Sequence, residues 1–533
     1  MTRRTSLIAA SLLLVVFMVQ AVLSMRMKTV TFDETAHIPA GYSYLATGDF
    51  RLNPEQPPFI KLLAACPLLF LKLQAPFNNQ YWQESAEYPF GSQFLFGSGN
   101  DADLVIFLSR LPMVLLGALL GCYIFVWSRE LYGSTAGLLS LFFFAFCPNM
   151  LAHTRLVTMD VGVGCFMLIA CYHAWRYLEA PSVTGLVLTA LFTGLAVVTK
   201  FSGLLLGPIV VVLFASRLRQ KDRLFRASGR LSRLAERPLL FLCASLFSIA
   251  LISLAMIYVV YGLKPDSLQL YKHGMDIIYK NHVAGYKYYL NGQFSVKPWW
   301  YYYLFAFIVK TPIPTLILIM LATLLFTKKR LSDELWLILP AALIIVVSFF
   351  DAANTSIRRI LPAYPFLFVL IGKTAVWVER DSATAKRNVR KALLAVLCIW
   401  LLVASIRIYP DYLTYFNEGV GGPRQGMYHL DDSNIDWGED LNRLKTFMDE
   451  RGIGAVKLLY FGTADPAYYG IKTLPLSESE IAHLPEQGMY YAISTHMLVR
   501  TNLARIERGY EIDWMRQLTP MEVIGNSLYI YKF

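Results

Sequence analysis

Apolar stretches recur along most of this chain, many of them close to the roughly 20 residues that a helix needs to cross about 30 Å of hydrocarbon. Spans are expected near 6–25, 104–127, 136–152, 157–178, 183–199, 202–216, 239–262, 300–326, 335–350, 359–378 and 392–408. A hydrophobic share of 56%, an aromatic share of 14% and a mean hydropathy of +0.45 exceed those of a soluble globular chain. The expected class is a polytopic α-helical membrane protein with about eleven transmembrane helices. Its first span reads as a signal anchor, because the apolar stretch is long and no A-x-A-like site follows it.

Lys and Arg in short loops collect on the cytoplasmic side. With Arg3 and Arg4 inside, the basic segments 217–237, 327–334 and 379–391 also fall inside. The same alternation puts 26–103, 147–157, 263–299, 351–358 and everything after Ile408 outside. Most of the net charge of +12 is then a topology signal, and no nucleic-acid partner is expected. Basic cytoplasmic loops and a chain without a disulfide framework suit a bacterial inner membrane, with the outer segments in the periplasm.

Two units are expected: a membrane domain over 1–408 and an outer-face α/β domain over 409–533. Past Tyr409 the apolar 20-mers stop and turn residues such as Gly421, Gly422 and Pro423 appear. The pattern there predicts a helix over 438–451 and strands at KLLYF, MYYAI and SLYIYKF. Seven cysteines lie mostly within or beside the spans and form no C-x-x-C pair. Five carboxylates fall within 431–440; they lack the glycine and glutamate spacing of a calcium loop, and acids favour the N-terminus of the helix that follows.

Ionisable groups near hydrocarbon cost several kcal/mol unless paired or wet, and many gather at the outer boundary. Asp33, Glu34 and His37 follow the first span, with Arg51, Glu55 and Lys61 in the same loop (26–103). His153, Arg155 and Asp160 flank the fourth span; Lys200 ends the fifth; Arg358 and Arg359 open the tenth. Taken singly, each has a plain structural use: Asp33 and Glu34 as helix caps, His37 as an interfacial histidine, Lys200 and Arg359 as side chains reaching for headgroups. Asp160 heads an apolar helix and must find a partner or water. Together, cations that hold a lipid-borne phosphate and a carboxylate that takes a proton from a hydroxyl suit transfer of a sugar from a lipid phosphate.

The segment 32–63, FDETAHIPAGYSYLATGDFRLNPEQPPFIKLL, resembles the first outer loop of polyprenyl-phosphate-dependent glycosyltransferases of the GT-C fold. That group includes the protein O-mannosyltransferases and the lipid A aminoarabinose transferases. Further likenesses are TRLVTMD at 154–160, TKFSG at 199–203, VKTPIP at 309–314, RRILPAYPFL at 358–367 and the 415–441 segment. The resemblance implies a GT-C membrane domain that moves a sugar from a polyprenyl-phosphate donor to a hydroxyl on a protein, lipid or glycan, with inversion. It implies Asp33 as base, Glu34 placing the acceptor or acting on Asp33 by like-charge proximity, and Asp160 as second carboxylate. Lys61, Lys200, Arg358, Arg359 and Arg51 would hold the donor phosphate. His37, Tyr44, Glu55, His153, Arg155, His273 and Tyr286 are candidate substrate contacts.

Gln56 stands where many members of the group have histidine, so no role of that histidine carries over. No zinc set is spaced along the chain, no cofactor is assigned, and a divalent cation stays open. In the outer loop 263–299, Trp299 to Tyr303 read as an interfacial aromatic belt and the remainder as a lid. A flippase or transporter of polyprenyl lipid is the rival reading; it would show inverted repeats meeting at mid-membrane, and none is visible. A lipid-binding scaffold of the same fold is the third.

Overall fold

The computed structural model describes residues 2–218, 237–280, 285–326, 330–379, 384–483 and 485–533. Among these, seven helices are long and apolar enough to cross a membrane: Arg3–Met25, Ala102–Tyr132, Met159–Glu179, Pro238–Val260, Leu331–Ser348, Ile357–Glu379 and Thr384–Ile408. Two further apolar paths are bent, Ser134–Ala145 with Pro148–Thr154 by 65° and Tyr302–Lys310 with Ile313–Leu324 by 114°. The sharper bend falls where Thr311 and Pro312 interrupt the helix, since proline offers no N–H to continue it. Each expected position holds a helix: seven pass by length and composition, up to nine if each bent pair is one span, and Val183–Thr199 and Phe201–Arg217 are shorter apolar helices. Most of the basic segment 217–237, together with 327–329 and 380–383, lies outside the described residues.

The helices sort by what they touch. Met159–Glu179 is almost wholly enclosed, whereas Arg3–Met25, Pro238–Val260 and Thr384–Ile408 present apolar side chains outward, among them Leu12, Phe247 and Ile399. Exposed apolar rows on a helix suit hydrocarbon on one side and the bundle on the other.

The first outer loop folds back on the membrane domain as helices Glu34–Thr47 and Phe59–Ala65. Gly41 makes that pairing close: a Cβ there would sit 2.1 Å from the Lys61 carbonyl oxygen. Helix Ser267–Lys280, from the outer segment 263–299, presses on the same loop through Gly274, whose Cβ would lie 2.1 Å from the Pro54 carbonyl oxygen. Past residues 281–284, strands β1 (Tyr288–Leu290) and β2 (Gln293–Ser295) form a hairpin. It is tied to the outer domain by Asn291 N–H donating to the His429 carbonyl at 2.9 Å and Tyr289 Oη donating to the Met427 carbonyl at 2.9 Å. The belt expectation is corrected in part. Trp300 and Tyr301 are exposed, but Tyr302 and Tyr303 are buried and bonded to Asn434 and Ala353.

The C-terminal unit carries a five-stranded mixed sheet in the order β4–β3–β5–β7–β6, with β3 Val456–Leu459, β4 Thr473–Leu474, β5 Tyr490–Ser494, β6 Glu522–Ile524 and β7 Leu528–Lys532. β3 pairs in parallel with β4 and β5, while β7 runs antiparallel to β5 and β6. Helix Leu441–Arg451 precedes the sheet.

Candidate active site

Thr29 and Phe32 donate their amides to the carbonyls of Glu439 and Trp437 at 2.9 and 3.0 Å, so the chain leaving the first span runs alongside the outer-domain segment 437–439. That pairing fixes where Asp33 and Glu34 begin their helix. The two adjacent carboxylates then part company.

Glu34 is fully buried. Its carboxylate accepts from the Thr31 amide at 3.0 Å, the Thr31 hydroxyl at 2.9 Å, the Val157 amide at 2.9 Å, and Arg110 Nε and Nη2 at 2.9 and 2.5 Å. Burial pushes against the charge, but the Arg110 guanidinium and these donors hold the carboxyl below its ordinary value. The expectation that Glu34 places an acceptor is therefore corrected, because its oxygens are already engaged and none reaches solvent. It ties the first loop to helix Ala102–Tyr132 and to the 153–158 turn. Arg110, in the third turn of the apolar helix Ala102–Tyr132, is the sequence signal that could have found this lock.

Asp33 stays at an opening, its side chain 20% exposed, and pairs with Arg358 Nη1 at 2.7 Å. The Arg358 guanidinium lies 4.5 Å above the Trp437 ring, so the outer domain supplies the surface on which it rests. Asp160, in the first turn of Met159–Glu179, accepts from Lys200 Nζ at 2.6 Å. Lys200 and Arg358 are both partly exposed, and Arg358 acts electrostatically on Asp33 and Asp160 together. Four separate segments thus bring two carboxylates and two cations to one place.

His37 and His153 sit behind this cluster, both buried. His37 Nδ1 lies 2.8 Å from the Val157 carbonyl, which can only accept, so Nδ1 carries the proton. Burial lowers the His37 pKa, which keeps the ring neutral with Nε2 as an acceptor. His153 packs edge-on against Trp437 and acts on Asp160. Arg155 is buried over the Tyr412 ring at 5.7 Å.

The other expected phosphate ligands are elsewhere. Lys61 is fully buried, its Nζ donating to the Asn53 carbonyl at 2.5 Å, Asn53 Oδ1 at 2.8 Å and the Gln56 carbonyl at 2.9 Å. All three N–H bonds are used to hold the 53–56 turn, which corrects its assignment to phosphate, and burial brings its pKa down to about 7. Arg359 pairs with Asp351 at 2.7 Å on the surface, and Arg51 with Asp49 while stacking on Trp82 at 5.2 Å. Tyr286 accepts from Arg500 at 2.9 Å within the outer-domain contact. A cavity of about 530 Å³ opens along the same outer loop, and Tyr44, Arg51, Glu55 and His273 line it, whereas Asp33 and Asp160 do not. The Tyr44 hydroxyl is spent on the Leu52 and Asn53 carbonyls.

The acids of 431–440 are likewise engaged, which corrects their reading as helix N-terminal charges. Asp431 binds His496 at 2.8 Å and Arg500 at 2.7 Å, Asp436 accepts from the Gly438 and His496 amides, and Asp440 pairs with Lys28 at 2.7 Å. Among the described residues no three His, Cys, Asp or Glu side chains gather as a metal site.

Residues 102–258 match the family described as dolichyl-phosphate-mannose-protein mannosyltransferase. Over the whole length, the chain resembles ArnT from Cupriavidus metallidurans in the apo state, with a TM-score of 0.50 and 14% identity over 99% of this chain and 98% of that one. The fold is GT-C. The same ArnT bound to undecaprenyl phosphate gives a TM-score of 0.49 at 15% identity, covering 99% and 98% of the two chains. The apo oligosaccharyltransferase of Archaeoglobus fulgidus gives 0.44 at 11%, covering 92% and 71%. No curated protein matches. In this GT-C protein the matched segment contains Arg110, His153, Asp160 and Lys200, while Asp33, Arg358 and Trp437 come from outside it.

Proposed function

We propose that this GT-C protein transfers a sugar from a polyprenyl-phosphate-linked donor to a hydroxyl acceptor at the outer, periplasmic face of a bacterial inner membrane. The observation that carries the reading is the meeting of Asp33–Arg358 with Asp160–Lys200 at the membrane boundary. The family that matches residues 102–258 is described by a lipid-phosphate mannose donor, which supports a donor of that kind.

Asp33, with its partly open carboxylate, takes the proton of the acceptor hydroxyl as the oxygen attacks the anomeric carbon. The bond from that carbon to the phosphate oxygen breaks on the opposite face, which inverts the centre. The lipid phosphate leaves as an anion and needs no acid. Arg358 and Lys200 stabilise its growing charge from fixed positions, and Asp160 holds Lys200 in place. Glu34 and Lys61 serve as locks on the loop that presents Asp33. No step calls for a metal ion, and whether turnover survives chelator is a direct check.

The deciding experiment is transfer of radiolabelled sugar from a panel of polyprenyl-phosphate sugars by the purified protein in lipid, beside Asp33→Asn. The expected result is label on an acceptor, or slow release to water, lost by about 10²- to 10⁴-fold in the variant. Equal turnover in both proteins would remove Asp33 from the mechanism. Lipid movement without bond cleavage would favour the flippase reading.

A further inference from the structure

Glu439 and Arg155 are both buried, and both carry polar atoms that the fold leaves unanswered. Glu439 Oε2 accepts from the Trp437 amide at 3.0 Å, while Oε1 meets no donor among the described residues. Arg155 lies over the Tyr412 ring, and its Nε and Nη1 meet no acceptor among the described residues. Buried charge and unmet hydrogen-bonding groups both cost stability, so packing alone does not account for the pair. The charged groups around Glu439 come from four elements besides its own. Lys28 follows the first span, Arg110 lies on helix Ala102–Tyr132, Arg155 on the 153–158 turn and Lys310 on helix Tyr302–Lys310, with Asp436 and Asp440 in its own segment. Three of these cations are spent: Lys28 binds Asp411 and Asp440, Arg110 binds Glu34, and Lys310 donates to the Leu413 and Asn434 carbonyls. Arg155 is the fourth, and Glu439 is the charge that acts on it most strongly. A guanidinium donates, a carboxylate accepts and a bound water does both, so the two unmet sets complement each other directly or through water.

What Glu439 holds is the turn beneath Arg358. Gly438 gives that turn a left-handed backbone with φ +81°, a conformation that glycine enters and leaves freely, so the turn owes its shape to its bonds. The bond from the Trp437 amide to Glu439 is one of them, and the Trp437 ring carries the Arg358 guanidinium at 4.5 Å. We infer that Arg155 is a positioning residue: it keeps Glu439 charged, and charged Glu439 fixes Trp437 so that Arg358 faces the lipid phosphate. The inference rests on the transferase reading above for the phosphate, and it gives Arg155 a task other than substrate contact. Burial lifts the Glu439 carboxyl to about 7, with Asp440 and Asp436 adding to the rise and Lys28 and Arg155 opposing it. Removing the Arg155 charge raises it further, by about one unit. Near neutrality the carboxyl is then mostly protonated, and a neutral acid is a weaker acceptor for the Trp437 amide.

The test measures binding of radiolabelled, sugar-free undecaprenyl phosphate to the full chain in nanodiscs between about pH 6 and about pH 9, together with sugar transfer. Wild type is compared with Arg155→Met, which keeps side-chain length and drops the charge, with Arg155→Lys, with Glu439→Gln, and with Arg155→Met and Glu439→Gln combined. Glu439→Gln is expected to bind about tenfold more weakly than wild type at the alkaline end. Arg155→Met is expected to bind about three- to fivefold more weakly near neutrality and to return to the wild-type value by about pH 9, as Glu439 loses its proton. Taking the ratio to wild type at each pH cancels the titration of the lipid phosphate itself. Arg155→Lys should recover most of the loss, and the combined variant should bind no more weakly than Glu439→Gln alone. An Arg155→Met loss that is equal at every pH, or that adds to the loss in Glu439→Gln, overturns the inference, as does no loss at all. Where Arg155→Met does not fold, Glu439→Gln decides: binding equal to wild type at the alkaline end overturns the inference. Transfer absent with every donor, while binding follows the expected pH pattern, sinks the transferase reading and leaves the positioning role standing. Transfer lost in Asp33→Asn, with Arg155→Met unchanged in binding and transfer, sinks the positioning inference alone.

Discussion

Two carboxylates one residue apart in sequence have opposite fates, and the difference is solvent. Glu34 has five donors and no exposure, whereas Asp33 has one arginine and an opening. Replacing Glu34 with Gln leaves Arg110 buried without its counter-charge, so the expected cost is about 3–5 kcal/mol, read as a lowered thermal midpoint in detergent. The Glu34 carboxyl is held below its ordinary value of 4.5, so it gains stability that is present above that value and lost as pH falls through its folded-state pKa. A titration of the thermal midpoint should therefore show an acid-side decline below about pH 4.5 that is absent in Glu34→Gln. Asp160→Asn releases Lys200 from a charged partner at 2.6 Å. Its transfer rate should fall by about 10²-fold, less than that of Asp33→Asn, with little loss of stability; parallel kinetics and melting curves would separate the two effects.

At the scale of elements, close backbone contacts set the site. Gly41 and Gly274 face carbonyl oxygens that cannot swing aside. Gly41→Ala should cost about 1–3 kcal/mol or more from overpacking, and should lower the yield of folded protein on size-exclusion chromatography. The junction of the first span with the outer domain is ionic. Lys28, buried, binds Asp411 and Asp440, both at 2.7 Å, and Arg443 binds Asp411 at 2.5 Å. Lys28→Met paired with Asp440→Asn forms a double-mutant cycle with an expected coupling of about 1–3 kcal/mol. A coupling near zero would mean that the junction is held by Phe32, stacked on Phe461 at 5.0 Å, and its apolar neighbours instead.

For the whole molecule, the C-terminal domain is part of the site. Trp437 carries the Arg358 guanidinium, and Asn434 donates to the Thr355 carbonyl while accepting from the Ile357 amide. His496 and Arg500 in turn pin Asp431. Removing 456–533 should abolish transfer and increase exchange of the Thr29 and Phe32 amides, whose partners are the Glu439 and Trp437 carbonyls. Retained transfer in that truncated chain would show that the outer domain only covers the site.

Apolar run length determined the membrane class and the positions of the helices, because the hydrocarbon thickness imposes its own ruler. Strands β3, β5 and β7 were legible from the short apolar runs KLLYF, MYYAI and SLYIYKF near the chain end. The charged segments that crowd the outer boundary were legible too, since charge beside hydrocarbon needs a reason. What the tertiary structure alone decided was the division of labour among those charges. Asp33 and Glu34, or Lys61 and Lys200, have the same chemistry in sequence. Their difference is the donors, carbonyls and solvent that folding brings to them: Arg110 and Val157 for Glu34, Arg358 and Trp437 for Asp33, the folded-back Asn53 and Gln56 for Lys61. The partners of Glu34 and Asp33 lie tens to hundreds of residues away and those of Lys61 come from the turn just before it, and only packing sets which charge is buried and which is left open.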